Sequence, residues 1–155
     1  MRGLGLALNR PACSQPQSTT QEETRVSNKI KVALLGLGSV GEAFAEHFLA
    51  KIQEDRIDVE IVAVADRHPD TPVALGFAHS KVPVFQDAME VIKLGDQVDL
   101  IFDLTGNAEL RQQLRAGLQA SNNRHTVIAP EVFAHLLWNF FGESKALLQH
   151  AQTGY

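Results

Sequence analysis

Cysteine, clusters of basic residues and long apolar runs are all scarce in this chain of 155 residues, and each scarcity excludes a class of protein. Cys13 is the one cysteine, so the chain can form neither an internal disulfide nor a cysteine-based metal site. The formal net charge is −4, and lysine and arginine form no cluster that could neutralise a run of phosphates. We therefore expect no disulfide framework and no nucleic-acid partner.

Apolar segments long enough for a membrane or a secretory signal are missing too. No stretch approaches the ~20 residues of a membrane helix, and the apolar patch near the N-terminus is shorter than the ~7–15 residues of a secretory core. Residues 1–28 are polar, rich in Ser, Thr and Gln, and without helical or strand periodicity. We expect them to be a disordered leader, and we expect a cytoplasmic protein with no membrane partner.

Beyond residue 28, β-rich runs alternate with helical patterns. The apolar run "IKVALL" is followed by a helix in which Val40, Phe44 and Phe48 recur every fourth residue. Further β-rich runs occupy residues 59–66, 82–85, 98–107 and 125–130. This alternation predicts one α/β domain over residues 29–155, a single doubly wound parallel sheet of Rossmann type with strand order 3-2-1-4-5.

Two residues mark the ends of later helices in this prediction. Gly95 stands where the helix in "DAMEVIKLG" would have its C-cap, and Pro130 is placed to open the last helix at its first turn. The last helix is predicted to run from there to the end of the chain.

The stretch "LGLGSVG" has the spacing G-x-G-x-x-G, between a predicted strand and a predicted helix. Gly36 permits the tight turn, Gly38 allows the backbone to approach a pyrophosphate, and Gly41 allows close packing of the helix. The pyrophosphate would meet free N–H groups at the positive end of the helix dipole. In this context the motif predicts a dinucleotide-binding turn.

The second strand ends in Asp66, about 25 residues after Gly41, where a carboxylate can accept both ribose hydroxyls of an adenosine. Arg67 follows and could stack on the adenine or reach a 2′-phosphate. Because Asp66 would repel that phosphate, NAD is preferred and NADP stays open. S-adenosylmethionine is disfavoured, since its sites usually carry an acid just before the first glycine and this chain has "VALLG".

With these segments placed, the chain resembles the cofactor domain of the glucose–fructose oxidoreductase and inositol dehydrogenase family, which overlaps the homoserine and aspartate dehydrogenases. The resemblance rests on "VALLGLGSVG", "VEIVAVADRHPD", "VPVFQD" and "VDLIFDLTGN". It implies two groups of residues at the cofactor. Residues expected to contact the cofactor are Gly36, Gly38, Ser39, Val40, Asp66 and Arg67. Residues expected near the nicotinamide ribose are Thr105, Gly106 and Asn107.

The chain also departs from those enzymes. They have a second α/β domain and often a catalytic lysine before a proline at the end of strand five, where this chain has Ala129 before Pro130. A closer likeness is to a cofactor-type domain at the N-terminus of some bacterial sensor kinases and related regulators. There a strand like "HTVIAP" leads into a helix with an "LLW" step, as around Trp138 here.

Acid–base and metal chemistry is not evident elsewhere in the sequence. The six histidines show no metal-binding spacing, and Asp103 in strand four is more readily explained as a hydrogen-bonded structural acid than as a base. The apolar stripe of the last helix around Trp138 exceeds what one sheet face needs, which favours a homodimer contact or the docking of a further domain as much as simple packing.

Three functions follow from these observations. The first is an NAD(P)-binding or sensing module without its own catalytic domain. The second is the cofactor-binding half of an NAD(P)-dependent oxidoreductase whose substrate domain is missing or on a partner. The third is a degenerate Rossmann domain that has lost its ligand and mediates an interaction. The sequence does not decide whether the chain is an enzyme, and it shows no catalytic residue.

Overall fold

The computed structural model describes residues 28–141, and within them it shows one five-stranded parallel sheet. The elements, in chain order, are β1 Ile30–Leu35, α1 Ser39–Gln53, β2 Val59–Ala65, α2 Pro72–His79, β3 Val84–Phe85, a 3-10 segment Ala88–Gln97, β4 Leu100–Asp103, α3 Ala108–Ala120, β5 Val127–Pro130 and α4 Glu131–Phe140. The strand order β3-β2-β1-β4-β5 confirms the predicted doubly wound sheet. The predicted leader lies outside the described residues, except for its last residue.

Both faces of the sheet are covered. Val32 and Leu34 of β1 belong to the apolar layer under α1, α2 and α4, whereas Ala33 and Leu35 belong to the layer under α3 and the 3-10 segment. A central strand buried on both faces has to be apolar at every position, which is why "VALL" does not alternate. Because all strands are parallel, their carboxyl ends meet at one edge of the sheet.

The segment before β4 differs from the predicted helix. Residues 88–97 form 3-10 turns, and Gly95 has φ 55° and ψ −127° inside the segment. Gly95 thus ends the first of two helical pieces with a positive φ that glycine adopts readily, as predicted for its position, but the piece that it ends is 3-10 and not α-helical. Pro130 likewise ends β5 and is the N-cap of α4, one position before the predicted first turn.

The apolar side chains of helix α4 are divided between the core and the exposed surface. Trp138 is only 9% exposed, and its ring packs against the His47 ring at a tilt of 52°, with 4.9 Å between the ring centroids. Phe140, in contrast, is 77% exposed. Trp138 therefore packs into the core, and Val132, Phe133, Leu136 and Phe140 carry the exposed apolar surface. The expected contact with a second copy or a further domain stays a prediction, and the predicted continuation of this helix lies outside the described residues.

Candidate functional site

The carboxyl ends of β1, β2 and β4 border a cleft of about 460 Å³. Six of the predicted site residues line it, namely Gly36, Gly38, Asp66, Arg67, Thr105 and Asn107. Of the other four, Ser39, Val40 and Gly41 form the start of α1, and Gly106 lies in the turn between β4 and α3. The structure thus brings together three segments that are far apart in the sequence, as expected at the point where the strand order reverses.

The first and third glycines are required by close backbone contacts. Gly36 has φ +85°, and a Cβ there would lie 3.0 Å from Cα and Cγ2 of Thr105. A Cβ on Gly41 would lie 1.7 Å from the carbonyl oxygen of Gly36. Gly41 therefore allows the first turn of α1 to rest on the glycine turn itself, a closer contact than the predicted packing on β1.

Gly38 has a different role, because it is the N-cap of α1 and has no side chain to satisfy the first N–H groups of the helix. A Cβ on Gly38 would meet no atom of residues 28–141 within 4 Å, so the bare backbone faces open space at the cleft. Backbone N–H groups at a helix start, combined with the helix dipole, form a ready anion site.

Ser39 and Val40 begin α1 with their side chains in different surroundings. Ser39 is exposed, whereas the Val40 side chain is 1% exposed and belongs to the core. A ligand at this helix start would meet Val40 only through its backbone N–H. The predicted contacts of both residues stay predictions.

Asp66 follows β2, and its side chain is 11% exposed. Its carboxylate accepts hydrogen bonds from the Leu37 N–H at 2.5 Å and from the His68 N–H at 2.7 Å, one on each oxygen. An ionised carboxylate has about four acceptor positions, so each oxygen keeps capacity for a ribose hydroxyl. Asp66 therefore also ties the glycine turn to the end of β2, which the sequence reasoning missed.

The turn between β4 and α3 forms the opposite wall of the cleft. Gly106 has φ 66°, and Asn107 is the N-cap of α3, where its side-chain oxygen accepts from the N–H groups of Glu109 and Leu110. The Thr105 hydroxyl donates to Asp103 Oδ1 at 2.6 Å. Asp103 is thus the hydrogen-bonded structural acid that the sequence predicted.

Three further polar residues at the cleft were not singled out from the sequence, namely Gln86, Asp87 and Gln113. Gln86 and Asp87 follow the end of β3 as Asp66 follows β2, whereas Gln113 lies on α3. His68, which follows Asp66 closely, lines the cleft as well. Within residues 28–141, no three His, Cys, Asp or Glu side chains are grouped closely enough to hold a metal ion. The residues fit an anionic, hydroxyl-bearing ligand.

Comparison with known families agrees with this geometry. Residues 36–134 match the family described as the NAD-binding domain of homoserine dehydrogenase. The chain belongs to this family. It is therefore a nicotinamide dinucleotide-binding domain of Rossmann type, and the match spans both turns of the cleft.

Solved structures that are similar to this chain belong to larger proteins. Homoserine dehydrogenase from S. aureus superposes with a TM-score of 0.50 at 23% identity, over 74% of this chain and 31% of that one. Scyllo-inositol dehydrogenase from Lactobacillus casei gives 0.46 at 22% identity, over 73% and 32%. The chain thus spans about a third of the length of these enzymes. A comparison with curated proteins gives no significant match. Within residues 28–141, no helix is long and apolar enough to cross a membrane.

Proposed function

We propose that this NAD-binding domain holds NAD(H) in the cleft between its two turns and acts as a cofactor-binding module. The observation that carries the proposal is Gly38, a bare N-cap with open space in front of it at the start of α1. The pyrophosphate would lie against this helix start, and the adenosine ribose would lie at Asp66. When bound, the cofactor supplies hydride chemistry, and this domain supplies its orientation.

The preference for NAD over NADP is part of the proposal. The Asp66 carboxylate is mostly buried and is oriented by two backbone N–H groups. A 2′-phosphate placed beside this fixed negative charge would be repelled. Arg67 is exposed at the same cleft, where it could stack on the adenine.

A second candidate is the cofactor-binding half of an NAD-dependent oxidoreductase, and family membership is the observation that favours it. The coding sequence beyond Tyr155 separates the two functions. An α/β substrate domain encoded there would support the oxidoreductase, and a kinase-type continuation would support sensing. The predicted cytoplasmic location fits both.

Calorimetric titration of the purified chain with NADH and NADPH tests the proposal. We expect NADH to bind and NADPH to bind more weakly. Gly38→Leu places a side chain in the open space and should weaken NADH binding by about 100-fold, the effect of a steric conflict of a few kcal/mol. The matched control is Gly76→Leu, because a Cβ on Gly76 also meets no atom of residues 28–141 within 4 Å and Gly76 lies outside this cleft.

Two results would contradict the proposal. If millimolar NADH and NADPH give neither heat nor a thermal shift with the unaltered chain, the domain is a degenerate Rossmann fold with an interaction role. If Gly38→Leu binds NADH as well as Gly76→Leu does, the pyrophosphate does not lie at the start of α1.

A further inference from the structure

The buried pair Asp103 and Arg111 lies behind the wall of the cleft, outside its lining. The Asp103 side chain is fully buried at the end of β4, and that of Arg111 on α3 is 3% exposed. Arg111 Nε donates to Asp103 Oδ2 at 2.8 Å. A buried ion pair is weak evidence for stability, because desolvation of the two charges offsets most of their attraction. The pair therefore calls for another role.

The second oxygen of Asp103 holds the turn that follows it. Oδ1 accepts from the Thr105 hydroxyl at 2.6 Å and from the Thr105 N–H at 3.2 Å. The Thr105 hydroxyl oxygen in turn accepts from the Asn107 N–H at 3.2 Å, and Asn107 caps α3. These bonds run from α3 through Asp103 and Thr105 back to the start of α3, so they fix the turn from both sides.

The position of this turn also affects the opposite wall. Thr105 limits the space at Gly36, where a Cβ would come within 3.0 Å of its Cα and Cγ2. The Leu104 N–H donates to the Leu35 carbonyl at 2.9 Å, which joins the residue after β4 to the last residue of β1. A shift of Thr105 would thus change the distance between the two walls.

We propose that Asp103 and Arg111 are positioning residues, which set the place of the Thr105–Asn107 turn and thereby the affinity of the cleft for the dinucleotide. In this respect the role rests on the dinucleotide-binding function proposed above. Arg111 orients the carboxylate through one oxygen, and the carboxylate holds Thr105 through the other. Neither residue lines the cleft, so their effect on the ligand passes through Thr105 and Asn107.

Asp103→Asn is the decisive variant. An amide offers one acceptor oxygen, so its NH₂ must face a donor, either Arg111 Nε or the Thr105 N–H. The Thr105 hydroxyl can rotate to accept from that NH₂, but the N–H groups cannot. We expect NADH affinity to fall by about 10-fold or more, the equivalent of one charge-assisted hydrogen bond. Arg111→Lys keeps the charge and should retain more affinity than Asp103→Asn.

Loss of stability alone is controlled by Leu118→Ala, which removes a buried side chain near the other end of α3. Both variants are titrated at a temperature well below their Tm values. If Asp103→Asn binds NADH as well as Leu118→Ala does, the positioning role is wrong. If Asp103→Asn does not fold, Arg111→Lys takes its place, because Arg111 also lies outside the cleft lining, and NADH binding as tight as in Leu118→Ala would again contradict the role.

Amide hydrogen exchange of the ligand-free chain separates failure of this role from failure of the proposed function. We expect the amides of Thr105, Asn107 and Leu110 to exchange faster in Asp103→Asn than in Leu118→Ala. If the unaltered chain binds no dinucleotide but these amides still exchange faster in Asp103→Asn, the pair positions the turn and its proposed link to NADH affinity is wrong. Unchanged exchange would overturn the role itself.

Discussion

The turn between β1 and α1 is shaped by glycines, whereas the turn between β4 and α3 is shaped by side-chain hydrogen bonds. In the first turn, Gly36 has a positive φ and Gly41 touches the Gly36 carbonyl. In the second turn, Asp103 holds Thr105 and Asn107 caps the helix. Both turns border the same cleft, and both lead from a parallel strand into a helix.

This difference decides which helix start can bind an anion. The Asn107 side chain occupies two N–H groups at the start of α3. Gly38 offers no side chain to α1, so the corresponding N–H groups are left to a ligand. The glycine turn is therefore the one better suited to a pyrophosphate, because the start of α3 has two fewer N–H groups to offer an anion.

The largest effect is expected from Gly41→Ala. The new Cβ would lie 1.7 Å from the Gly36 carbonyl oxygen, which is backbone and cannot rotate away. We expect a loss of about 3 kcal/mol in the free energy of unfolding, in the range of overpacked cores, measured by urea denaturation. Gly38→Ala is the control and should change stability by less than about 0.5 kcal/mol, as at an open surface site. Equal losses of unfolding free energy in the two variants would show that Gly41 does not lie so close to the Gly36 carbonyl.

The glycine turn could be predicted from the sequence, because every signal for it lies within one strand–turn–helix unit. The spacing of the glycines, the strand before them and the helix after them are all local. The fold was predictable for a related reason, since alternating strand and helix patterns allow few parallel arrangements. The 3-10 segment was not predictable from its pattern, because its apolar spacing suits either helix type and Gly95 fits a C-cap equally well.

Asn107→Ala should have the next largest effect. It removes the cap of α3, and we expect a loss of about 1 kcal/mol in the free energy of unfolding. Because Asn107 lines the cleft, NADH binding should weaken as well. Thr71→Ala is the matched control, since Thr71 caps α2 through the Ala74 N–H and lies outside the cleft. It should lose comparable stability with unchanged NADH binding, and weaker binding in Thr71→Ala would show that the titration reports stability alone.

At the amino edge of the sheet, away from the two turns, Asp99 makes a contribution to stability that depends on pH. There Asp99 accepts a hydrogen bond from the Lys31 N–H at 2.7 Å and pairs with His125. The Lys31 N–H, and after it the His125 hydrogen bond, hold the pKa of Asp99 below its ordinary value of 3.8. A lowered pKa in the folded state adds stability above pH 3.8 that is lost as the pH falls through the folded pKa.

Asp99→Asn should therefore cost about 0.5 kcal/mol at pH 7, in the range of partly exposed ion pairs. Urea midpoints measured from pH 7 down to pH 3 should show the difference from the unaltered chain shrinking below about pH 4. NADH affinity at pH 7 should stay unchanged, because Asp99 lies at the edge opposite the cleft. A difference that grows in acid would contradict the shift of the Asp99 pKa.

The pairing of Asp103 with Arg111 lay beyond the sequence reasoning, although one signal was present. Arg111 shares the buried stripe of α3 with Leu114 and Leu118. An arginine on the buried face of a helix needs an acceptor, and Asp103 was the acid inside the adjacent strand. Their contact depends on how α3 lies on β4, which local patterns do not specify. The same holds for Asp66 and Leu37, which are 29 residues apart.

Gly38→Asp would make the first turn resemble the second, and it tests the comparison with the smallest change in stability. Gly38 has φ −67° and ψ −167°, which suits an aspartate N-cap, so we expect a gain of about 0.3 kcal/mol. Gly38→Asn is nearly the same size and should give a similar gain without a charge.

Both side chains occupy the anion site, but only the aspartate repels a pyrophosphate. NADH should therefore bind Gly38→Asp more weakly than Gly38→Asn, and the gap between them should narrow as salt is raised. Equal binding by the two variants at low salt would mean that the negative charge of the ligand lies elsewhere.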